Sequence, residues 1–251
     1  MKYSVCIDAL YAGKDFFQGL REIKEFGISG FEFWSWWDKD LKKLAAEKEK
    51  LDLTASAMCT KFISLVDPAQ QETYLAGLKE SIEAAKVLDC HTLISQVGAD
   101  MGQPRTIQRC HLCSGLKKAA EMLEASGITL VIEPLNTAVD HPGYYLSSSE
   151  EAFSIVKEVD SENIKVLFDI YHQQITEGDI IRSICKNIDL IGHFHAAGNP
   201  GRHELDSGEL NYPNIFRQIQ ESGYTGFMGL EYFPVRPVGY GLKKLLEEGW
   251  E

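Results

Sequence analysis

The sequence predicts a (β/α)8 barrel, the fold in which eight parallel strands alternate with eight helices. The chain has 251 residues, and a barrel of this kind takes about 250. Short apolar runs alternate with longer amphipathic segments along the whole chain, which is typical of an α/β fold with parallel strands. The composition does not shift along the chain, so we expect residues 1–251 to form a single domain.

The predicted strands are short apolar runs bounded by turns or by helical patterns. In chain order the eight runs are YSVCID (3–8), GFEFW (30–34), LTASAM (53–58), HTLISQV (91–97), ITLVIEP (128–134), KVLFD (165–169), IDLIGHFH (188–195) and FMGLE (227–231). Each run has the length of an ordinary strand.

The predicted helices follow these runs. They cover about 14–26, 38–50, 68–88, 106–125, a segment that opens at 147–149, and then 173–186, 212–221 and 240–248. Gly27 and Gly127 end two of them, because glycine readily adopts the left-handed backbone that closes a helix. Ser147, Ser148 and Ser149 offer side-chain oxygens that can cap the start of another.

An open, doubly wound sheet is the alternative fold for the same alternation of elements. Nucleotide-binding members of that class carry a glycine-rich phosphate cradle in the first strand-to-helix loop. The corresponding loop here, DALYAGKD at 8–15, has neither a GxGxxG nor a P-loop pattern. The barrel is therefore favoured, and no nucleotide cradle is visible.

The net charge of the chain argues against nucleic acid as a binding partner. Its 37 acidic residues outnumber its 25 lysines and arginines, which gives a formal net charge of -12. An acidic surface binds the phosphate backbone of nucleic acid poorly, so small neutral or anionic metabolites are the expected ligands.

The first ten residues are too short and polar for a secretory signal, and no apolar run approaches the ~18 to 20 residues of a membrane span. We therefore expect a cytoplasmic protein with no nucleic-acid or membrane partner.

The six cysteines are scattered through predicted strands and helices. This distribution suits reduced thiols better than a disulfide framework. Cys110 and Cys113 form a CxxC inside a predicted helix, and no second pair accompanies them. We interpret them as packing residues rather than as a redox or zinc site.

Metal-binding residue types stand at the ends of four successive predicted strands. Glu133, Asp169 and Glu231 each close an apolar run, and His195 closes the run that also contains His193. In a barrel the carboxyl ends of all strands meet on one face, so these side chains are expected around one cavity. Three carboxylates and an imidazole favour Mn²⁺, Mg²⁺ or Co²⁺, with Zn²⁺ left open. We expect His193 to lie one layer deeper, as a core imidazole.

Four segments also resemble a known family. They are IEPLN around Glu133, FDIYHQQ from Phe168, GRHELDSGELNYP from Gly201 and GLEYFP from Gly229. Together they resemble the hydroxypyruvate isomerase family of xylose isomerase-like barrels, over most of the chain. The resemblance implies a (β/α)8 barrel, a divalent metal held by residues from strands five to eight, and interconversion of hydroxy-aldehydes and hydroxy-ketones.

The resemblance also implies roles for individual residues. It implies metal-ligand positions for Glu133, Asp169, His195 and Glu231. Hydroxypyruvate isomerases usually carry Gln where this chain has His195, whereas the related ketose 3-epimerases carry His. His172 and Arg202 match positions that contact substrate oxygens in both families. A guanidinium such as that of Arg202 can bind a carboxylate or a hydroxyl pair through two parallel hydrogen bonds.

The expected reaction follows from what such a site can do. A metal chelated by adjacent carbonyl and hydroxyl oxygens makes the neighbouring C–H proton easier to remove. Our hypothesis is that Glu133 and Glu231 are also the catalytic pair, one removing a proton and the other delivering it. Return to the neighbouring carbon is an isomerisation, and return to the opposite face of the same carbon is an epimerisation. The predicted substrate is hydroxypyruvate, tartronate semialdehyde or a related keto-acid or sugar.

Three further residues are weaker candidates for substrate contacts. Glu32 and Trp34 lie at or after the second predicted strand, where they could wall the cavity or form part of a subunit contact. Lys61 follows the third predicted strand and could meet an anionic substrate group, although an ordinary solvated lysine fits the same position.

Several other functions stay open at this point. A ketose 3-epimerase and an inosose dehydratase-like lyase would use the same arrangement, and a non-catalytic sugar-binding or metal-binding protein would need no turnover. Apurinic-site endonucleases of this superfamily need a multinuclear zinc cluster. The chain has seven histidines, and too few of them lie at the other predicted strand ends for such a cluster. By analogy with the family, a homo-oligomer is expected.

Overall fold

The structure of the protein, a computed structural model that describes residues 1–247, is a closed parallel barrel surrounded by helices. Within this range eight strands pair in chain order, and the last pairs with the first. They are β1 (Lys2–Cys6), β2 (Gly30–Phe33), β3 (Thr54–Cys59), β4 (Thr92–Ser95), β5 (Thr129–Ile132), β6 (Ile164–Asp169), β7 (Ile191–Ala196) and β8 (Phe227–Leu230). The predicted (β/α)8 barrel is confirmed, and the open doubly wound sheet is wrong.

Ten α-helices lie in the described range. They are α1 (Ile7–Leu10), α2 (Phe16–Glu25), α3 (Leu41–Leu51), α4 (Gln71–Leu88), α5 (Arg105–Ser126), α6 (Ser149–Val159), α7 (Ile170–Thr176), α8 (Ile180–Asn187), α9 (Tyr212–Glu221) and α10 (Val238–Glu247). Most coincide with a predicted helix to within a few residues, whereas the short α1 was not predicted. None of these described helices is both long enough and apolar enough to cross a membrane.

The predicted helix 173–186 is in fact two helices, α7 and α8. The turn between them contains Gly178 and Asp179, which adopt left-handed conformations with φ of 66° and 49°. α7 also begins earlier than predicted, because the Asp169 carboxylate accepts a hydrogen bond from the backbone N–H of His172 at 3.0 Å and caps the helix. This early start places His172 in the first helical turn, next to the end of β6.

Two other element boundaries differ from the prediction. The run 188–195 opens with a 3-10 turn, Ile188–Leu190, so β7 begins at Ile191. His193 and His195 both lie inside β7 and project to the same face. The predicted last helix, 240–248, is observed as α10 up to Glu247, and residue 248 lies outside the described residues.

The barrel interior differs in polarity from strand to strand. Strands β3 to β6 contribute a small buried apolar cluster of Ala57, Cys59, Ile94, Val131 and Leu167. Strands β1, β2, β3 and β7 contribute the buried polar side chains Ser4, Glu32, Ser56 and His193. The larger apolar core packs mainly between the strands and the surrounding helices. A buried polar network therefore extends along one side of the barrel toward the strand ends.

The CxxC motif lies on α5 and forms no disulfide; both of its thiols are free. Cys110 is exposed, whereas Cys113 is buried. Burial, and then the Glu158 carboxylate, raise the pKa of the Cys113 thiol to about 11. A thiol with such a pKa is protonated and unreactive near neutral pH, which agrees with the packing interpretation.

Thiol labelling tests this interpretation. At pH 8 iodoacetamide should alkylate the two exposed cysteines, Cys110 and Cys185, in the folded chain. The other four should react only after denaturation, because burial keeps reagent away and keeps those thiols protonated. Mass spectrometry of tryptic peptides would measure the labelling at each site. Rapid labelling of Cys113 in the folded protein would contradict the packing interpretation.

Candidate metal centre

Glu133, Asp169, His195 and Glu231 converge at the carboxyl ends of β5 to β8. Asp169 is the last residue of β6 and His195 lies in β7, whereas Glu133 and Glu231 directly follow β5 and β8. All four side chains are buried, and one ligand atom from each lies within 4.8 Å of the others. The structure therefore brings together the four residues predicted as metal ligands.

His195 Nδ1 points at the carboxylates of this centre. It lies 3.3 Å from Glu231 Oε2, 3.5 Å from Glu133 Oε1 and 4.0 Å from Asp169 Oδ2. Neither His195 Nδ1 nor Glu133 Oε1 has a hydrogen-bond partner within residues 1–247, although both atoms are buried. A buried polar atom left unpaired costs about 1–3 kcal/mol, so this geometry suits atoms that bind a shared cation.

The pKa values of the residues in the centre also favour a bound cation. Burial by itself raises the pKa of Asp169 and Glu231. For Glu231 the Arg202 guanidinium and the His195 imidazole outweigh burial and hold the pKa well below its usual value, whereas the pKa of Asp169 stays raised. Burial lowers the pKa of His195, but the Glu231 and Glu32 carboxylates raise it well above its usual value. The centre thus attracts positive charge, and its oxygen-rich donor set fits a divalent ion such as Mn²⁺ or Mg²⁺.

Glu32 lies deeper in the barrel, within β2 rather than after it. His193 Nε2 is hydrogen-bonded to Glu32 Oε2 at 2.9 Å, and His195 Nε2 is 2.9 Å from Glu32 Oε1. Burial raises the pKa of Glu32, but the two imidazoles outweigh it and lower that pKa to about 2. His193 is therefore the predicted core imidazole, and Glu32 contacts histidines rather than the walls of the cavity.

A cavity of about 650 Å³ opens above the centre, and Glu133, Glu231, Arg202 and Trp34 are among the residues that line it. Trp34 Nε1 donates a hydrogen bond to Glu231 Oε1 at 2.6 Å, and Arg202 Nη2 donates one to Glu231 Oε2. The Arg202 backbone is left-handed, with φ of 57°. Residues other than glycine seldom adopt this conformation, and here it belongs to the loop residue whose guanidinium contacts Glu231.

A family model described as xylose isomerase-like TIM barrel matches residues 20–249. The match covers nearly the whole chain, including every strand end of the centre. The chain belongs to this family. The hydroxypyruvate isomerase of Escherichia coli (strain K12) is 30% identical, over 97% of each chain. The 2-oxo-tetronate isomerase of Cupriavidus necator is 38% identical over 178 residues, which are 70% of this chain and 67% of that one.

The solved structures agree with this assignment of the fold. A crystal structure from Brucella melitensis, described as AP endonuclease, family 2, is 30% identical, covers 98% of both chains and has a TM-score of 0.94. The resemblance to hydroxypyruvate isomerases within the xylose isomerase-like barrels is thus confirmed, and the chain is an isomerase by family.

Three predicted substrate contacts of this xylose isomerase-like barrel lie outside the cavity lining, namely Glu32, described above, and His172 and Lys61. His172 is fully buried; its Nδ1 accepts a hydrogen bond from Asn136 Nδ2 at 2.6 Å, and its Nε2 lies 3.6 Å from Asp169 Oδ2. Burial, and then the Arg202 guanidinium, lower the pKa of His172 to about 3, so its ring is neutral. Lys61 pairs with Glu80 instead.

Sequence reasoning missed Gln96 and Asn136. Gln96 follows β4 and lines the cavity, and its buried Oε1 has no partner among the described residues. The strand-end rule that identified the four candidate ligands would also have identified Gln96, had amides been considered beside carboxylates and imidazoles. Asn136, in the IEPLN segment, orients His172. No pattern in the sequence indicates this role, because the contact joins two separate strand ends.

Metal binding is directly testable. Isothermal titration with Mn²⁺ should show one ion bound per chain. Asp169→Asn, which keeps an oxygen to cap α7, should weaken binding by at least about 100-fold, because loss of a ligand should cost no less than loss of a residue that supports one. Asp160→Asn is the matched control, since Asp160 is an exposed residue at the end of α6. Equal Mn²⁺ affinity in the two variants would contradict the assignment of Asp169.

Proposed function

We propose that this isomerase interconverts a small hydroxy-ketone and the matching hydroxy-aldehyde by metal-dependent proton transfer, with hydroxypyruvate and tartronate semialdehyde as the leading pair. The observation that carries the proposal is the convergence of Glu133 and Glu231 on one buried centre that opens into a cavity. Two relatives, a hydroxypyruvate isomerase and a 2-oxo-tetronate isomerase, support a small keto-acid as substrate.

The chemistry requires two proton transfers at carbon. In hydroxypyruvate one proton leaves C3 and one arrives at C2, while the hydroxyl proton passes from O3 to O2; an enediolate of the substrate lies between the two states. A divalent cation held by Glu133, Asp169, His195 and Glu231 would act as a Lewis acid that polarises the carbonyl group. The Glu133 and Glu231 carboxylates supply the base and the acid.

The two glutamates have different surroundings. Trp34 and Arg202 donate hydrogen bonds to separate oxygens of Glu231, which fixes the orientation of its carboxylate and favours its ionised form. Glu133 Oε1 has no such donor in the described part of the chain. Glu133 can therefore take up a proton without losing a hydrogen bond, which makes it the better placed of the two to act as the base. Glu231, which starts ionised, can act as the acid only after it has taken up the hydroxyl proton that leaves O3.

Arg202 favours a keto-acid over a neutral ketose. Among the described residues that line the cavity it is the one with a permanent positive charge, and its Nε has no hydrogen-bond partner within residues 1–247. The guanidinium lies 5.6 Å from the Tyr171 ring centroid and 5.7 Å from that of Phe233. Held between two rings, a planar guanidinium can bind a carboxylate through parallel hydrogen bonds.

A product assay tests the proposed function. The protein would be incubated with hydroxypyruvate, with tartronate semialdehyde and with a panel of ketoses, each with Mn²⁺ and with a chelator, and products would be followed by NMR. Interconversion of the first two compounds, abolished by the chelator, is the expected result. Inversion at a single carbon would indicate an epimerase, loss of water a dehydratase, and binding without turnover a receptor.

A nuclease function finds little support in the site. Within residues 1–247, two groups of side chains are close enough to hold a metal ion, and both include His195. This arrangement does not supply the separate histidine-rich positions that a multinuclear zinc cluster needs. The net charge of -12 also opposes binding of a polyanion.

Replacing the catalytic carboxylates should abolish turnover without unfolding the chain. Glu133→Gln and Glu231→Gln should each lower kcat for hydroxypyruvate by about 10²- to 10⁴-fold, the usual contribution of a positioned acid or base. Glu121→Gln, an exposed glutamate on α5, is the matched control and should keep full activity. Near-normal kcat in both site variants would overturn the catalytic assignment.

The role of Arg202 can be isolated by comparing two substrates. Dihydroxyacetone is a hydroxy-ketone like hydroxypyruvate but has no carboxylate. Arg202→Gln should lower kcat/KM for hydroxypyruvate more than for dihydroxyacetone by about 10- to 100-fold, the worth of a hydrogen bond to a charged group. Arg217→Gln, an exposed change on α9, should leave the ratio unchanged. An equal loss for both substrates would show that Arg202 acts on Glu231 alone.

A further inference from the structure

Glu32 lies between the two imidazoles of β7. Its Oε2 is hydrogen-bonded to His193 Nε2 at 2.9 Å, and its Oε1 is 2.9 Å from His195 Nε2. All three side chains are buried. Glu32 therefore contacts the edge of the His195 ring that points away from the other three candidate ligands.

This contact favours hydrogen on one particular nitrogen of His195. A carboxylate oxygen accepts hydrogen bonds and donates none, so its approach to 2.9 Å is favourable when Nε2 carries the hydrogen, although the two atoms do not meet at a hydrogen-bonding angle. In the neutral ring, the form that can bind a metal ion, Nδ1 then keeps a free lone pair, and it lies 3.3–4.0 Å from the carboxylates of Glu133, Asp169 and Glu231. Only an imidazole nitrogen without hydrogen can bind a metal ion.

The barrel makes room for the Glu32 carboxylate. Gly229 on β8 pairs in register with His195 on β7 and with Ser4 on β1. A Cβ atom at Gly229 would lie 2.5 Å from Glu32 Oε1 and 2.6 Å from His195 Cδ2, closer than van der Waals contact allows. The carboxylate from β2 can reach the His195 ring because β8 has no side chain at this height.

Glu32 is itself held by its neighbours. Ser56 Oγ lies 3.3 Å from Glu32 Oε2 and shares a hydrogen bond with Ser4 Oγ. Together with His193, these side chains fix the carboxylate from the side opposite His195. A residue that is held on one side and supports a metal ligand on the other suits a positioning role.

We infer that Glu32 is a positioning residue that holds His195 with Nδ1 directed at the metal, and that His193 acts through Glu32. The inference rests on the metal binding proposed above. Residues that support a metal ligand in this way usually contribute about 10- to 100-fold to metal affinity. Glu32 is therefore expected to act on the binding of the metal and not on the substrate directly.

Calorimetry of Mn²⁺ binding tests the inference. Glu32→Gln should weaken Mn²⁺ binding by about 10- to 100-fold and leave one ion per chain, because a neutral amide has a single acceptor oxygen and cannot serve both imidazoles. Ser81→Ala, a buried change on α4 whose hydroxyl contacts Gly77 O and Trp36 Nε1 rather than Glu32, is the control and should bind Mn²⁺ as wild type does.

Nitrogen NMR of the Mg²⁺-loaded protein separates positioning from a purely structural role. Wild-type His195 should show hydrogen on Nε2 and none on Nδ1, and Glu32→Gln should disturb this pattern. A variant whose only defect was a lower melting temperature would keep the wild-type pattern of hydrogen on the His195 ring. If Glu32→Gln does not fold, His193→Phe removes the second donor to Glu32 while keeping an aromatic ring, and should weaken Mn²⁺ binding to a smaller extent.

The outcomes distinguish this inference from the proposed function. Mn²⁺ binding by wild type with equal affinity in the folded variants would overturn the role of Glu32 and leave the proposed function standing. Two Mn²⁺ per wild-type chain, one of them lost in Glu32→Gln, would show instead that Glu32, His193 and His195 form a second metal site. A wild-type chain that binds no Mn²⁺ would overturn both proposals.

Discussion

The register between β6, β7 and β8 is the constraint on which the centre depends. Asp169 pairs with His195, and His195 pairs with Gly229, so β6 and β7 present inward side chains at one height and β8 leaves that height open beside them. A slip of one residue would turn His195 outward and Phe194 inward, because successive side chains alternate between the two faces of a strand. Closure of the barrel removes the free edges at which such a slip could begin.

The loop after β7 supplies a positive charge to the buried carboxylates of the centre. Buried carboxylates repel one another, and the Arg202 guanidinium offsets part of this repulsion through its contact with Glu231. The GRHELDSGELNYP segment places that guanidinium through consecutive positive φ values, 100° at Gly201 and 57° at Arg202. Tyr212, at the end of the same segment, donates a hydrogen bond to Ala197 O and joins the loop to the end of β7. The most recognisable motif of the sequence therefore acts by shaping this loop.

Features that depend on position along a strand could be predicted from the sequence, whereas features that depend on partners across the barrel could not. Apolar runs that end in Glu133, Asp169, His195 or Glu231 predict one shared face. Nothing in the GFEFW run predicts that Glu32 meets two histidines of β7, because that contact exists only in the closed ring. Lys61 follows β3 as predicted, but Glu80 on α4 and the Trp36 ring hold its ammonium group away from the cavity.

Asp169 divides its two carboxylate oxygens between the helix start and the centre. Oδ1 accepts the backbone N–H of His172, and Oδ2 faces the nitrogen of His195. Any redesign that exchanged this aspartate for a histidine to change metal preference would also leave the first turn of α7 without its acceptor, at a cost of about 1 kcal/mol. His195 caps no helix, so ion selectivity can be altered there with less disturbance of the surrounding backbone.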